Sequence, residues 1–274
     1  MVRLLSWNIS GKALWEQAAR EDVDVALLQE ARRPPAALES RIIPSAEGAW
    51  ATEGWEPRPW RTAVARVSDQ VHLTAVRTAG VGDLTSGDML ISRPGSLAVA
   101  GVSVNGAPVF TAVSMYAPWE RPPNSQKPIC SDASAHRLLS DLSALVWGRK
   151  GHRIVAAGDL NILLGYGDYG SPYWGGRYAT VFERAHAMGL VFAGPQAPNG
   201  RQATPWPSEL PSKSMNVPTY HSQAQRPSGA TRQLDFVFVS EDLRNDVRVR
   251  ALNDPADWGP SDHCRLIIDV DLRH

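Results

Sequence analysis

The chain has 274 residues, enough for one large domain or two small ones, and 43% of them are apolar, which supplies a substantial core and argues against disorder. Its 28 basic residues balance 28 acidic ones; zero net charge excludes a protein that coats nucleic acid non-specifically, but not a nuclease with a local basic rim. The two cysteines, Cys130 and Cys264, form no disulfide framework or metal-ligand spacing, and no stretch has the length and apolarity of a signal peptide or membrane span, so a cytoplasmic protein is expected.

In chain order, Val2–Ile9 is an apolar run that reads as a buried strand, Lys12–Arg20 has helical spacing, and Val23–Gln29 is a second strand ending at Glu30. The middle of the chain reads as short strands at Thr62–Val67, Val71–Val76, Met89–Ser92, Leu97–Val104 and Val109–Tyr116, with Asn105-Gly106 as a hairpin turn. Ser134–Trp147 reads as an amphipathic helix, His152–Ala157 as a strand leading into Gly158-Asp159-Leu160-Asn161, and Ala179–Met188 as another helix. The stretch from Gly194 to Arg232 is rich in Pro, Ser, Gln and Gly and poor in apolar anchors, so a functional or partly mobile loop is expected there. Leu234–Ser240 and Cys264–Val270 are the last strong strands. There is no repeat and no linker, so residues 1–274 read as one α/β domain, with two mixed sheets packed together and helices outside.

Polar residues recur at the ends of these apolar strands. Asn8 follows Leu4-Leu5-Ser6-Trp7, Glu30 follows Ala26-Leu27-Leu28-Gln29, Asp159 and Asn161 follow Ile154–Gly158, and Asp262-His263 precede the last strand. Each carboxylate taken alone reads first as a cap or turn residue. Asp235 does not, because it lies inside the apolar run Leu234–Val239, where an unpaired carboxylate is costly. Strand ends are where sites assemble in mixed α/β folds, since loops converge there without disrupting the core.

Trp7-Asn8, Gln29-Glu30, Ser114-Met115-Tyr116-Ala117-Pro118, Gly158-Asp159-Leu160-Asn161, Pro218-Thr219-Tyr220, Gln233–Ser240 and Ser261-Asp262-His263 follow one another in the order found in the endonuclease/exonuclease/phosphatase superfamily, which the chain resembles from first strand to last. The resemblance implies a four-layer α/β/β/α sandwich and hydrolysis of a phosphoester by water with Mg²⁺ or Mn²⁺ as cofactor. It assigns Glu30, Asn8 and Asp262 to the metal, Asp159 to orienting or deprotonating the attacking water, and Asn161 and His263 to the phosphate oxygens. Asp235 would hold the histidine, and Tyr116 would lie near the phosphate or serve as a core tyrosine. Thr219-Tyr220 is expected to be structural. One position departs from some nuclease branches: Ser10 stands where they carry an acid, which weakens a direct analogy with apurinic endonucleases.

A DNA or RNA nuclease is therefore the expected activity. The alternatives are a phosphatase or phosphodiesterase acting on a small or lipid phosphoester and, more distantly, an inactive family fold used as a binding module. A nucleic-acid substrate, no stable membrane association and a monomer are expected. Trp50, Trp55, Trp60, Trp119, Trp174 and Trp206 read first as rings that pin loops to the core and second as stacking surfaces. Arg32-Arg33, Arg226 and Arg232 read either as solvated charges or as grips on flanking phosphates. The other histidines, such as His72, His152 and His221, show no ligand spacing.

Overall fold

A computed structural model describes residues 1–43, 61–120, 131–148 and 150–272. Trp50, Trp55, Trp60 and Cys130 lie outside the described residues. The strands are β1 (Val2–Asn8), β2 (Val25–Ala31), β3 (Ile42–Ile43), β4 (Arg61–Arg66), β5 (His72–Val76), β6 (Thr78–Ala79), β7 (Met89–Leu90), β8 (Leu97–Val104), β9 (Ala107–Tyr116), β10 (Ile154–Asp159), β11 (Leu190–Gly194), β12 (Asp235–Ser240), β13 (Val247–Leu252) and β14 (Arg265–Val270). The helices are α1 (Trp15–Arg20), α2 (Ser131–Leu142) and α3 (Pro172–Ala187).

Two six-stranded sheets carry the architecture, one in the order β13-β14-β1-β2-β4-β3 and the other β11-β12-β10-β9-β8-β5. Each has one central parallel pair flanked by antiparallel neighbours: β1 with β2, and β10 with β9. The inner faces meet in a dry layer, where Leu4, Leu27 and Val64 of the first sheet join the same core as Ala112, Val155 and Val237 of the second. Outside the first sheet, Trp15 and Ala18 of α1 cover Leu5, Trp7 and Ala26. Leu138, Leu142, Val181 and Ala185 of α2 and α3 cover Val113, Ala156 and Phe236 on the other side. The layers are therefore α/β/β/α, as the resemblance implies, and alternation along each strand sends odd and even residues to the two different cores.

The topology also gathers the site. Chain direction makes the C-terminal ends of β1, β2, β9 and β10 and the N-terminal ends of β12 and β14 share one edge of the sandwich. Beneath that edge the two sheets are cross-linked: buried Gln29 on β2 donates to Ser114 Oγ on β9 at 2.9 Å, and Ser114 Oγ donates back to the Leu28 carbonyl at 2.8 Å. Gly158 is required by the close approach of β9, since a Cβ there would sit 1.9 Å from the Met115 carbonyl oxygen.

The Asn105-Gly106 turn forms as expected, with φ of 50° and 79°, the left-handed pair a two-residue hairpin needs. The segment from Gly194 to Arg232 differs from expectation. It has little regular structure, yet it is anchored: Val217, Thr219 and Ala230 are fully buried, Asn216 Nδ2 donates to the Leu164 carbonyl at 2.7 Å, and Val217 N–H donates to Gln233 Oε1 at 3.0 Å. A few buried positions and side-chain hydrogen bonds hold it where low apolar content suggested looseness. Among the described residues no helix is long and apolar enough to cross a membrane.

Candidate active site

Backbone strain marks the shared edge. Ser10, Glu30 and Asn161 adopt left-handed φ of 51°, 50° and 51°, which costs energy for residues with a Cβ. Glu30 sits where the β2–β4 register shifts between Leu28 and Ala31, a bulge that turns its side chain out of the ladder.

The carboxylates and the histidine converge there. Asp159 and Asp235 are register partners across β10 and β12, and both are buried. His263, 5% exposed, shares a 2.8 Å hydrogen bond from Nδ1 to Asp235 Oδ2, and its Nε2 lies 3.7 Å from Asp159 Oδ2. The Tyr220 ring packs against the imidazole with centroids 5.0 Å apart. Thr219 is buried, and its Oγ1 accepts the backbone N–H groups of Leu234 and Asp235 at 3.0 and 3.1 Å, which fixes the start of β12. The structural expectation for Thr219-Tyr220 thus has a specific form.

Asn8 bridges the two sheets: its Nδ2 donates to Asp159 Oδ2 at 2.9 Å and to Glu30 Oε1 at 3.2 Å, while its Oδ1 accepts from Ser10 N–H at 2.9 Å. Its donor side, rather than the expected ligand oxygen, meets the carboxylates. Ser10 Oγ contacts Asp262 Oδ1 and lies 2.8 Å from Ser261 Oγ, so the serine in place of an acid links Asn8 to Asp262. Asn161 clamps Asp159: its backbone N–H reaches Oδ1 at 2.9 Å and its Nδ2 reaches Oδ2 at 3.1 Å. The other Nδ2 hydrogen is taken by the Ala117 carbonyl at 3.1 Å, so the expected free donor to phosphate is already engaged. Tyr116 is buried with its Cα in register with Asp159.

Electrostatics follows from this crowding. Burial raises the Asp159 carboxyl to about 8; nearby His263 opposes the rise, and Asp235 and Glu30 add to it. Burial pulls the His263 imidazolium down, but Asp235 and Asp159 outweigh it and lift the group to about 10.

The profile of the Endonuclease/Exonuclease/phosphatase family matches residues 5–263. The chain belongs to that family. Among solved structures it is similar to the endonuclease domain of TRAS1, a telomere-specific non-LTR retrotransposon, at 18% identity and a TM-score of 0.59 over 100% of both chains. It is similar also to the AP endonuclease LMAP from Leishmania major (16%, TM-score 0.60, 98% of this chain and 87% of that one) and to the 3'-5' exonuclease NExo from Neisseria meningitidis (16%, TM-score 0.56, 98% and 99%). These likenesses are of fold. Among curated proteins none matches.

This edge of the sandwich has the donor set for a cation. Ligand atoms of Asp159, Asp235 and His263 lie within 4.8 Å of one another and could hold a metal ion. Half-buried Glu30 stands beside them through Asn8. Asp159, Asp235, Glu30 and Asp262 outnumber the single imidazolium, so the residues fit a positive charge at this edge.

The basic residues are less central. Arg33 pairs with Glu39 at 3.1 Å and Arg232 with Asp168 at 3.4 Å, while Arg32 and Arg226 are exposed. Trp7, Trp15 and Trp258 are core rings, but Trp119 is half-exposed and donates from Nε1 to Asn161 Oδ1. That link was not legible from spacing, although Trp119 directly follows the Ser114–Pro118 motif. Ser10 stands in the sequence only as a departure, and its tie to Asp262 emerges in the fold.

Proposed function

We propose that this protein is a divalent-metal-dependent phosphodiesterase that hydrolyses nucleic acid, with Asp159, Asn161, Asp235, His263 and Tyr116 serving the reaction and Glu30, Asn8 and Asp262 the metal side of the site. The observation that carries the reading is the convergence of Asp159, Asp235 and His263 with Asn8 and Glu30 across two sheets. Its support from comparison is the family match together with the nucleases among the structures it resembles.

In this reading Asp159 orients the attacking water and accepts its proton. Asn161 and Asn8 hold the carboxylate still by donating to both of its oxygens. His263 donates from Nε2 to a phosphate oxygen as charge builds there, while Asp235 fixes the ring through Nδ1 and keeps it cationic. Tyr116, paired in register with Asp159, stands on the phosphate side in this reading. Glu30 and Asp262 offer oxygen ligands suited to Mg²⁺ or Mn²⁺, with Asn8 orienting Glu30. Such a cation, when bound, neutralises phosphate charge and lowers the pKa of water.

The test incubates the purified protein with plasmid DNA, an RNA oligonucleotide and a small activated diester, with Mg²⁺, with Mn²⁺ and with excess chelator. Metal-dependent cleavage of nucleic acid is expected. Cleavage of the small diester alone would replace the nuclease reading with the small-phosphoester one, and full turnover in chelator would remove the metal.

A further inference from the structure

We propose that Trp119 is a stacking platform for an unpaired nucleobase next to the scissile phosphate, an inference that rests on the nuclease reading above. Trp119 follows Pro118 at the end of β9, and its indole N–H is given to Asn161 Oδ1, whose amide in turn holds Asp159. The ring is therefore one residue removed from the water-activating carboxylate. Yet the residue is 49% exposed. An indole has a single polar atom, and here that atom is engaged, so the exposed part of the side chain is ring carbon.

Aligning Asn161 requires only a donor, and a smaller side chain would provide one without leaving aromatic carbon in water. Phosphate hydrolysis itself has no use for an apolar plane. The group attached to a phosphate in a nucleic acid does present one: a base with a π-face, which stacks on aromatic side chains whatever its identity. Zero net charge points the same way, because affinity drawn from phosphate neutralisation needs a surplus of Lys and Arg that this chain lacks. Pro118 fixes one backbone torsion immediately before the ring, which limits what a stacked complex must order.

The experiment measures Kd by fluorescence anisotropy, in chelator to prevent cleavage, for a short labelled single-stranded oligonucleotide and for a base-free sugar-phosphate chain of equal length. The parent, Trp119→Leu and Trp119→Phe are compared, and parent cleavage of the oligonucleotide with Mg²⁺ is followed separately. Trp119→Leu is expected to weaken binding of the base-bearing strand by roughly 5- to 100-fold, the worth of one base–aromatic stack, and that of the base-free chain by clearly less. Trp119→Phe keeps a ring but no N–H, so it should restore most of the base-dependent affinity. Equal losses on both strands, or Phe as poor as Leu, would reduce Trp119 to an aligner of Asn161 and overturn the platform while parent cleavage leaves the nuclease reading standing. A parent that neither binds nor cleaves the oligonucleotide would overturn both.

Discussion

Asp159 and Asp235 are directly opposed across two antiparallel strands, and the His263 ring lies against both, 2.8 Å from Asp235 and 3.7 Å from Asp159. Two buried like charges in register destabilise a sheet unless something positive answers them. The imidazolium answers one charge. The other is relieved by a proton on Asp159 or by a cation.

This has a measurable consequence for stability. The Asp159 carboxyl, raised to about 8 chiefly by burial, is most compatible with folding when protonated, and its contribution worsens as pH rises from the usual carboxylate range through 8. His263, raised to about 10, stabilises fully below about 6.5 and loses that contribution as pH rises through 10. Both slopes have the same sign. In chelator the denaturant midpoint should therefore fall between pH 6.5 and 9, and Asp159→Asn should flatten the fall. A midpoint that holds or climbs over that range would refute the coupling.

Asp159→Asn also separates two readings of this residue. As water activator, it should lose roughly 10²–10⁴-fold in turnover with substrate binding nearly kept. As a turn residue beside Asn161, it should tolerate the amide with well under ~1 kcal/mol of change. Steady-state kinetics on one purified variant decides, and near-parental turnover would remove Asp159 from the chemistry.

Glu30→Gln and His263→Ala should part company in titration calorimetry. The first should weaken Mn²⁺ binding; the second should keep it and lower turnover, since His263 already gives Nδ1 to Asp235. Loss of metal by His263→Ala with retention by Glu30→Gln would move the cation to the Asp159–Asp235–His263 group.

Thr219→Val keeps shape and removes one oxygen. Two buried backbone N–H groups, those of Leu234 and Asp235, would lose their acceptor, at a cost of about 1–3 kcal/mol each before relaxation. Chemical denaturation should register a loss of that order, and turnover should fall with it as Asp235 shifts. An unchanged midpoint would show that the start of β12 is held by other means.

The parts of the fold that were legible in the sequence are those where burial is one-sided or complete. Central strands such as β1, β10 and β12 are almost wholly buried and mostly apolar, and their terminal polar residues stand out against that background. Edge strands β11 and β13 are not legible in the sequence: β13 alternates Val and Arg with a half-exposed face, and only two residues separate β11 from the end of α3. Helix α3 starts at Pro172 rather than near Ala179, because Gly175-Gly176 interrupts the apolar pattern that marks its later turns, although Ser171 caps it. At the site, residue identities were readable but hydrogen-bond polarity was not. Which face Asn8 turns to the carboxylates, and that Asn161 has no spare hydrogen, depend on neighbours such as Ser10 and Ala117 that meet them only in three dimensions.

The pairing of β14 with β1 has a consequence for how the site can be divided. β14 is not an edge but an interior member of its sheet, between β13 and β1, and it carries Asp262 and His263 at its entrance. Ser261 closes the circuit by donating to the carbonyl of Asn8, 253 positions earlier, at 2.6 Å. Without β14 the other five strands of that sheet could assemble only around a gap, and the two opposed aspartates of the other sheet would face each other with no histidine beside them. The site is therefore non-contiguous in the chain: neither half carries a working part of it, so a cut anywhere between β12 and β14 separates an aspartate from the ring that answers it.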